Sequence, residues 1–184
     1  MEGTMNELTQ FRHEIDQFMQ FHPQSPLDEA QREAFDGLAY YDFNEALVLI
    51  LPLEKLPPTE PMIEMETSTG DVRPYRRYGQ LSFEVEGKPA SLTIYSDMYG
   101  QEFFLPFRDA TSGKETYGAG RYLDNHRPGL WDLGDGRFKI DLNFAYNPYC
   151  AYQSTYSCPL PPRENWLMVP ILAGEKNFEQ GPAH

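Results

Sequence analysis

Polar residues able to anchor a ligand are concentrated between residues 108 and 176. One arginine, one aspartate and two asparagines can serve as anchors, and three tyrosines near them can form aromatic walls with a polar tip. This predicted ligand site consists of Arg121, Asp141, Asn143, Asn147, Tyr117, Tyr122 and Tyr146. Asp141 and Asn143 have the same parity in an alternating segment, so on a strand they share one face. If that face points into a cavity, Arg121 is the natural partner for Asp141 or for an anionic ligand group.

The same stretch contains groups suited to catalysis. An acid–base pair could come from Asp109, Asp141 or Glu164, with Cys150 as nucleophile, and this would suit a hydrolase or an isomerase. A nucleophile needs an activating base, but the chain has no Gly-x-Ser-x-Gly elbow and no histidine near Cys150 in the sequence. The enzyme hypothesis is therefore an alternative to ligand binding.

A third alternative gives these residues a purely structural role. Arg121 and Asp141 would form a buried ion pair, and the asparagines would satisfy backbone groups of an irregular loop. Replacing Arg121 with alanine separates the alternatives. It would destabilise the fold in the structural case, whereas in the ligand case it would spare folding and abolish binding.

Nucleotide-binding motifs are present only in part. Residues 112–116 resemble the end of a phosphate-binding loop, but Glu115 stands where a serine or threonine is needed. Residues 118–120 begin a dinucleotide fingerprint, but Leu123 occupies the position of its third glycine. No cofactor is therefore expected.

The two cysteines lie in a loop rich in proline and tyrosine, residues 147–165. Seven residues separate Cys150 from Cys158, more than in a usual zinc pair, and the histidines form no zinc-binding pattern. Prolines restrict the unfolded chain and aromatic side chains favour packing, so we expect the loop to lie across one end of the sheet as a lid or plug. Both thiols should then be buried and reduced, without a metal.

Charge and hydropathy argue against two classes of partner. The net charge of −13 repels phosphate backbones and anionic lipid heads, so we expect neither nucleic acid nor a membrane as a partner. One basic, aromatic stretch, residues 73–78, is interpreted as a strand face that pairs with Glu64 or Glu66. The chain has no apolar run of membrane-spanning length and no signal-peptide pattern, so we expect a cytoplasmic location.

Two helices are predicted in the first 37 residues. Apolar residues from Leu8 to Met19 recur at helical spacing, and Pro23 ends this helix. A second helix is predicted to start at a Ser25 cap and to stop at Gly37. Both would form a flap or plug on the domain that follows.

From residue 38 the pattern changes to about nine strands. The clearest is a hairpin over Gln80–Ser96, and others include Leu38–Phe43, Val72–Tyr78, Arg137–Phe144 and Trp166–Leu172. Short connections imply antiparallel pairing, so we predict a mainly β fold, a curled antiparallel sheet that is barrel-like or a sandwich. A small organic ligand would suit the interior or the mouth of such a barrel.

The chain of 184 residues has the length of a single domain. We divide it into a helical N-terminal segment at 1–37, a β domain at 38–176 and a tail at 177–184. The sequence contains no internal repeat and no linker.

Four long motifs span much of the polar stretch, namely Phe107–Leu123, Asp141–Tyr152, Cys158–Asn165 and Ala173–Lys176. Together with residues 25–38 they resemble an uncharacterised bacterial and archaeal family, domain of unknown function 1684. The resemblance covers nearly the whole chain and implies membership of that family. It implies no activity, cofactor or catalytic residue, because none is established for the family.

Overall fold

The computed structural model describes residues 2–182, in which two helices precede nine β-strands. The helices are α1 (Glu2–Phe21) and α2 (Glu29–Ala34). The strands are β1 (Val48–Pro52), β2 (Glu54–Lys55), β3 (Ile63–Glu66), β4 (Val72–Val85), β5 (Lys88–Ser96), β6 (Phe103–Phe107), β7 (Arg121–Asp124), β8 (Leu130–Asp132) and β9 (Arg137–Asp141). The last two residues of the predicted tail at 177–184 lie outside the described residues.

The strands form two antiparallel sheets. One sheet has the order β2-β4-β5-β6-β7 with β3 beside β4, and the other has the order β1-β9-β8. Neither sheet closes into a barrel, so the fold is sandwich-like. The prediction of a mainly β fold with two N-terminal helices is confirmed, and of its two forms the structure adopts the sandwich.

The apolar core draws on both sheets and on the segment 167–173. Leu81, Leu92 and Ile94 from the larger sheet join Phe138 and Ile140 from the smaller one in a single buried cluster. Burying these faces against each other supplies the main driving force for the fold. Within residues 2–182, no helix combines the length and the apolar character needed to cross a membrane.

The predicted hairpin over Gln80–Ser96 is confirmed, and its first strand is longer than expected. β4 continues back to Val72 and absorbs the predicted strand Val72–Tyr78, with an irregular register between Arg77 and Gly79. The turn consists of two residues, Glu86 and Gly87, both with positive φ. This geometry matches the twist of the paired strands, as in a type I′ turn.

The second helix begins later than predicted. Asp28, not Ser25, caps α2, because its side chain accepts a hydrogen bond from the Gln31 N–H while the Gln31 side chain accepts one from the Asp28 N–H. Ser25 instead donates to the carbonyl of Met19 at 2.5 Å, which fixes the turn between the helices.

Two predicted strands, Leu38–Phe43 and Trp166–Leu172, are wrong. In the first segment only Tyr40 forms an isolated bridge. In the second, buried Leu167, Val169 and Ile171 alternate with less buried residues as in a strand, but the backbone forms only a single bridge, to Arg108. Pro170 has no N–H to extend the ladder, so the alternation reflects burial without regular pairing.

Candidate functional site

Arg121 lies at the start of β7 and is buried together with Asp109. Its Nη2 is 3.4 Å from the Asp109 Oδ2, and it donates further hydrogen bonds to three backbone carbonyls in the segment 171–175. Burial lowers the pKa of Arg121, and the charge of Asp109 offsets part of this effect. The predicted pairing with Asp141 is wrong, because Asp141 lies at the end of β9 in the other sheet.

Asp141 and Asn143 come together at the end of β9, but not on one strand face as predicted. β9 stops at Asp141, and residues 142–144 form a short 3₁₀ turn. Asp141 caps this turn by accepting hydrogen bonds from the Asn143 N–H at 3.0 Å and from its Nδ2 at 2.8 Å. The Asn143 amide also exchanges two hydrogen bonds with the backbone of Asn44. These side chains therefore join two segments of the chain.

Asn147 and Glu175 form a second buried polar group. The Asn147 N–H donates to the Glu175 Oε1 at 3.2 Å, and its Nδ2 donates to the Lys176 carbonyl at 3.0 Å. The Tyr152 hydroxyl donates to the other carboxylate oxygen of Glu175. Burial raises the pKa of Glu175 to about 7. Asn147 thus ties the 147–165 loop to the C-terminal segment.

The three predicted tyrosine walls are divided between two cavities. Tyr122 and Tyr146, with ring centroids 5.9 Å apart, line a cavity of about 280 Å³. Tyr117 lines another of about 430 Å³, and its hydroxyl donates to the Cys150 sulfur at 3.4 Å. The seven predicted ligand residues therefore do not meet around one cavity, and their role in binding stays a prediction.

The residues of the enzyme hypothesis have separate partners. Asp109, Asp141 and Glu164 each hydrogen-bond to a different part of the chain. In the described part of the chain, no hydrogen bond joins two of these carboxylates or joins one of them to Cys150. Residues 2–182 also contain no cluster of three or more potential metal ligands of the His, Cys, Asp or Glu type.

A different set of residues surrounds an open cleft of about 720 Å³. Strands β3 and β4 line the cleft together with segments around residues 108, 118 and 160–166. We call it the arginine cleft because three arginines line it. The lining residues are Ile63, Glu64, Met65, Glu66, Arg77, Arg108, Gly118, Ala119, Leu160, Pro161, Pro162, Arg163 and Trp166.

Two of these arginines lie over the ring of Trp166. The guanidinium carbon of Arg108 is 4.5 Å from the ring centroid, and that of Arg163 is 5.4 Å away. The indole N–H donates to the Pro161 carbonyl at 2.9 Å, which orients the ring. Within residues 2–182 neither arginine forms a salt bridge. Both cations therefore retain N–H donors for a ligand.

Backbone pairing holds Arg108 beside Trp166. The Arg108 N–H donates to the Asn165 carbonyl at 3.0 Å, and the Leu167 N–H donates to the Arg108 carbonyl at 2.8 Å. The backbone at Gly120 packs closely against the Phe107 carbonyl. Only glycine permits this approach, because a Cβ at this position would lie 2.4 Å from the carbonyl oxygen. Main-chain hydrogen bonds therefore fix the position of Arg108 relative to Trp166.

The Asn165 side chain anchors this part of the cleft to the larger sheet. β5 and β6 pair at Ser96 and Tyr95. Two residues further along this register Pro106 lies opposite Thr93 and has no N–H to offer it. The Asn165 amide fills the gap: its Oδ1 accepts from the Thr93 N–H at 2.8 Å, and its Nδ2 donates to the carbonyls of Thr93 and Pro106 at 2.9 and 2.8 Å. The turn that carries Arg163 is thereby fixed.

Arg77 is the third arginine and is already paired. Its Nε donates to both carboxylate oxygens of Glu164, at 2.9 and 3.2 Å, and these hydrogen bonds raise the pKa of Arg77. The Tyr95 hydroxyl donates to the same carboxylate. The prediction that residues 73–78 pair with Glu64 or Glu66 is therefore wrong for Arg77. The register of β3 and β4 places these two glutamates opposite Pro74 and Val72.

Arg108, Arg163 and Trp166 are not among the site residues predicted from the sequence. Arg108 is about 58 positions from Trp166, and only the bridge between them and the Asn165 anchor bring them together. The available signal was the occurrence of Arg108 and Arg163 within two motifs of the resemblance. That signal alone does not identify which motif residues share a cleft.

Comparisons with known proteins extend over nearly all of this fold. A family model described as protein of unknown function (DUF1684) matches residues 33–176. The chain is also similar to the solution NMR structure of an uncharacterised protein of Haloarcula marismortui, with 36% identity, a TM-score of 0.69 and 95% of each chain covered. A search of curated proteins gave no match. None of these comparisons assigns an activity to the cleft.

Proposed function

The chain belongs to the DUF1684 family of proteins of unknown function, and we propose that its arginine cleft binds a small organic anion that carries a carboxylate or phosphate group. The observation that carries the proposal is the pair Arg108 and Arg163, both over the ring of Trp166 and neither in a salt bridge among residues 2–182. The planar guanidinium fork of arginine matches the oxygen atoms of a carboxylate or a phosphate.

The dimensions and the lining of the cleft support a small molecule. Its volume of about 720 Å³ lies within the range of about 300–1,000 Å³ common to ligand pockets. Leu160, Pro161 and Pro162 offer apolar surface beside the charged groups. The anionic head of the ligand would contact the two arginines, and its carbon skeleton would pack on Trp166 and this apolar surface.

Two glutamates that also line the cleft restrict the class of ligand. Glu64 and Glu66 are exposed on β3 and line the cleft. They would repel a second phosphate, and this disfavours polyanions such as nucleic acid, in line with the net charge of −13. They would accept hydrogen bonds from a hydroxyl or ammonium group at the other end of the ligand.

Thermal-shift measurements with a panel of small carboxylates, phosphates and their neutral analogues test the proposal. We expect saturable stabilisation by members of the anionic set and none by the neutral analogues. The double variant R108Q/R163Q should lose affinity by at least about tenfold for each arginine removed, because a hydrogen bond to a charged group contributes about 1.5–3 kcal/mol.

The control is the double variant K88Q/R137Q. It also removes two positive charges, but at exposed positions that do not line the cleft. Equal loss of affinity in both double variants would mean that net charge, and not the cleft, governs binding. Absence of stabilisation by every anion of the panel would reject the proposal.

A further inference from the structure

The chain has two cysteines, and the structure brings them into contact at the base of the 147–165 loop. The Cys150 N–H donates to the Cys158 sulfur at 3.3 Å, so the two residues are in direct contact. Both side chains are buried, with 2% of Cys150 and 7% of Cys158 exposed. This burial agrees with the packing predicted for the loop.

The surroundings of the pair favour a thiolate on Cys150. The neighbouring Cys158 side chain lowers the pKa of Cys150 below that of an ordinary cysteine, although burial opposes this effect. The Tyr117 hydroxyl also donates to that sulfur, at 3.4 Å. The contact with Cys150 and burial raise the pKa of Cys158, so Cys150 is the more acidic thiol of the pair.

Other titratable or charged groups face the pair from neighbouring segments. Arg73 of β4 donates to the Ser157 carbonyl at 2.7 Å, and its charge favours an anion at Cys158. Burial raises the pKa of Tyr122 of β7, which also lies close enough to the pair for negative charge on a sulfur to raise the pKa of its hydroxyl. The hydroxyl therefore stays neutral and adds no negative charge.

We propose that Cys150 and Cys158 form a redox-active dithiol that exchanges with a small-molecule disulfide. In the first step the Cys150 thiolate attacks one sulfur of the disulfide, a mixed disulfide forms and the other sulfur leaves as a thiolate that takes up a proton. In the second step Cys158 loses its proton and attacks the Cys150 sulfur, which releases the second thiol. Two electrons pass from the protein to the reagent, and one intramolecular disulfide replaces two thiols.

The contact between the two cysteines and the Tyr117 hydrogen bond to Cys150 order these steps. Cys158 holds its proton while Cys150 carries negative charge. When the mixed disulfide forms, that charge disappears, and Cys158 is released to ionise and attack. The tip of the loop, residues 154–156, is exposed, so local opening of a few residues is enough to admit a reagent.

Native protein treated with oxidised glutathione, quenched by alkylation and analysed by intact mass spectrometry, tests the proposal. The wild type should form the internal disulfide without stable glutathione adduct. C158S should stop at the mixed disulfide on Cys150, and C150S should react at least about tenfold more slowly near pH 7, because its remaining thiol lacks the stabilised thiolate.

Two further measurements test the proposal even if C150S or C158S fails to fold. The rate at which the wild type reacts with oxidised glutathione should rise with pH, with a midpoint below the ordinary cysteine pKa of about 8.5. Y117F should move this midpoint to a higher pH, because it removes a hydrogen bond to the Cys150 sulfur. The rate should also depend weakly on urea at low concentration, as local opening does. A rate that tracks global unfolding, or equal reactivity of C150S and C158S, would overturn the assignment.

Discussion

At the scale of single residues, buried polar side chains in this protein mainly bind backbone groups. Arg121 is the clearest example, since it satisfies carbonyls of the segment 171–175 and pairs with Asp109. One alternative predicted from the sequence is a buried ion pair of Arg121 with a carboxylate. The structure has such a pair, but the carboxylate is Asp109 and not Asp141.

Replacing Arg121 with alanine should therefore destabilise the fold by about 3–5 kcal/mol, because the Asp109 carboxylate would be left buried without its cation. Urea denaturation measures this change. R137A is the control, since the Arg137–Asp135 pair is exposed and its loss should change the free energy of unfolding little. If R121A were as stable as R137A, Arg121 would be free for ligand binding as the sequence suggested.

Glu175 makes stability depend on pH. Burial raises its pKa from 4.5 to about 7, so the folded state holds the proton more tightly than the unfolded chain does. Stability therefore falls as the pH rises from about 4.5 to about 7, by about 3 kcal/mol in total, and stays at the lower level above that.

The variant E175Q removes this titration, since glutamine resembles the protonated carboxyl. We expect the free energy of unfolding of the wild type, relative to E175Q, to decrease by about 3 kcal/mol between about pH 4.5 and about pH 8. Urea denaturation at several pH values measures both proteins. Parallel pH profiles would contradict this prediction, because they would show that folding does not raise the pKa of Glu175.

At the scale of elements, the anchor formed by Asn165 connects a strand defect to the cleft. Pro106 interrupts the β5–β6 ladder, and the Asn165 amide replaces the missing pairing with three hydrogen bonds. The turn of residues 163–165 then holds Arg163 and Trp166 in place. A local irregularity in the sheet thus positions the candidate site.

N165A should lose about 3 kcal/mol or more of stability, because three buried backbone groups would lack partners at about 1–3 kcal/mol each. The matched control is N125A. Asn125 also hydrogen-bonds two backbone groups, of Phe103 and Gln101, but it is exposed, so water can replace its amide. Equal losses in the two variants would contradict the role of Asn165 as a buried anchor.

The sequence predicts elements well where one local pattern dominates. The helical spacing that identifies α1 and the alternation around the β4–β5 hairpin are both carried by neighbouring residues. Trp166–Leu172 fails because alternation reports burial, whereas a strand also needs regular pairing that Pro170 prevents. The cap of α2 is missed because Ser25 and Asp28 are both acceptable capping residues, and tertiary contacts decide between them.

At the scale of the whole molecule, the sandwich rather than a barrel determines where a ligand can bind. Apolar side chains of both sheets fill the interior, and the arginine cleft lies at the surface between β3–β4 and the irregular C-terminal segments. The polar stretch at 108–176 could be selected from residue types alone. The meeting of Arg108 with Trp166 could not, because it depends on a long-range bridge without a sequence pattern of its own.

Fluorescence titration of the variant W131F tests the proposed anion site most directly. Trp131 and Trp166 are the two tryptophans of the chain, so this variant leaves the Trp166 ring of the cleft as the single tryptophan reporter. Titration with small carboxylates and phosphates should give a saturable change in emission that weakens as salt is added and disappears in W131F/R108Q/R163Q. Absence of a saturable change with every anion, or an unchanged titration in the triple variant, would contradict the proposed function.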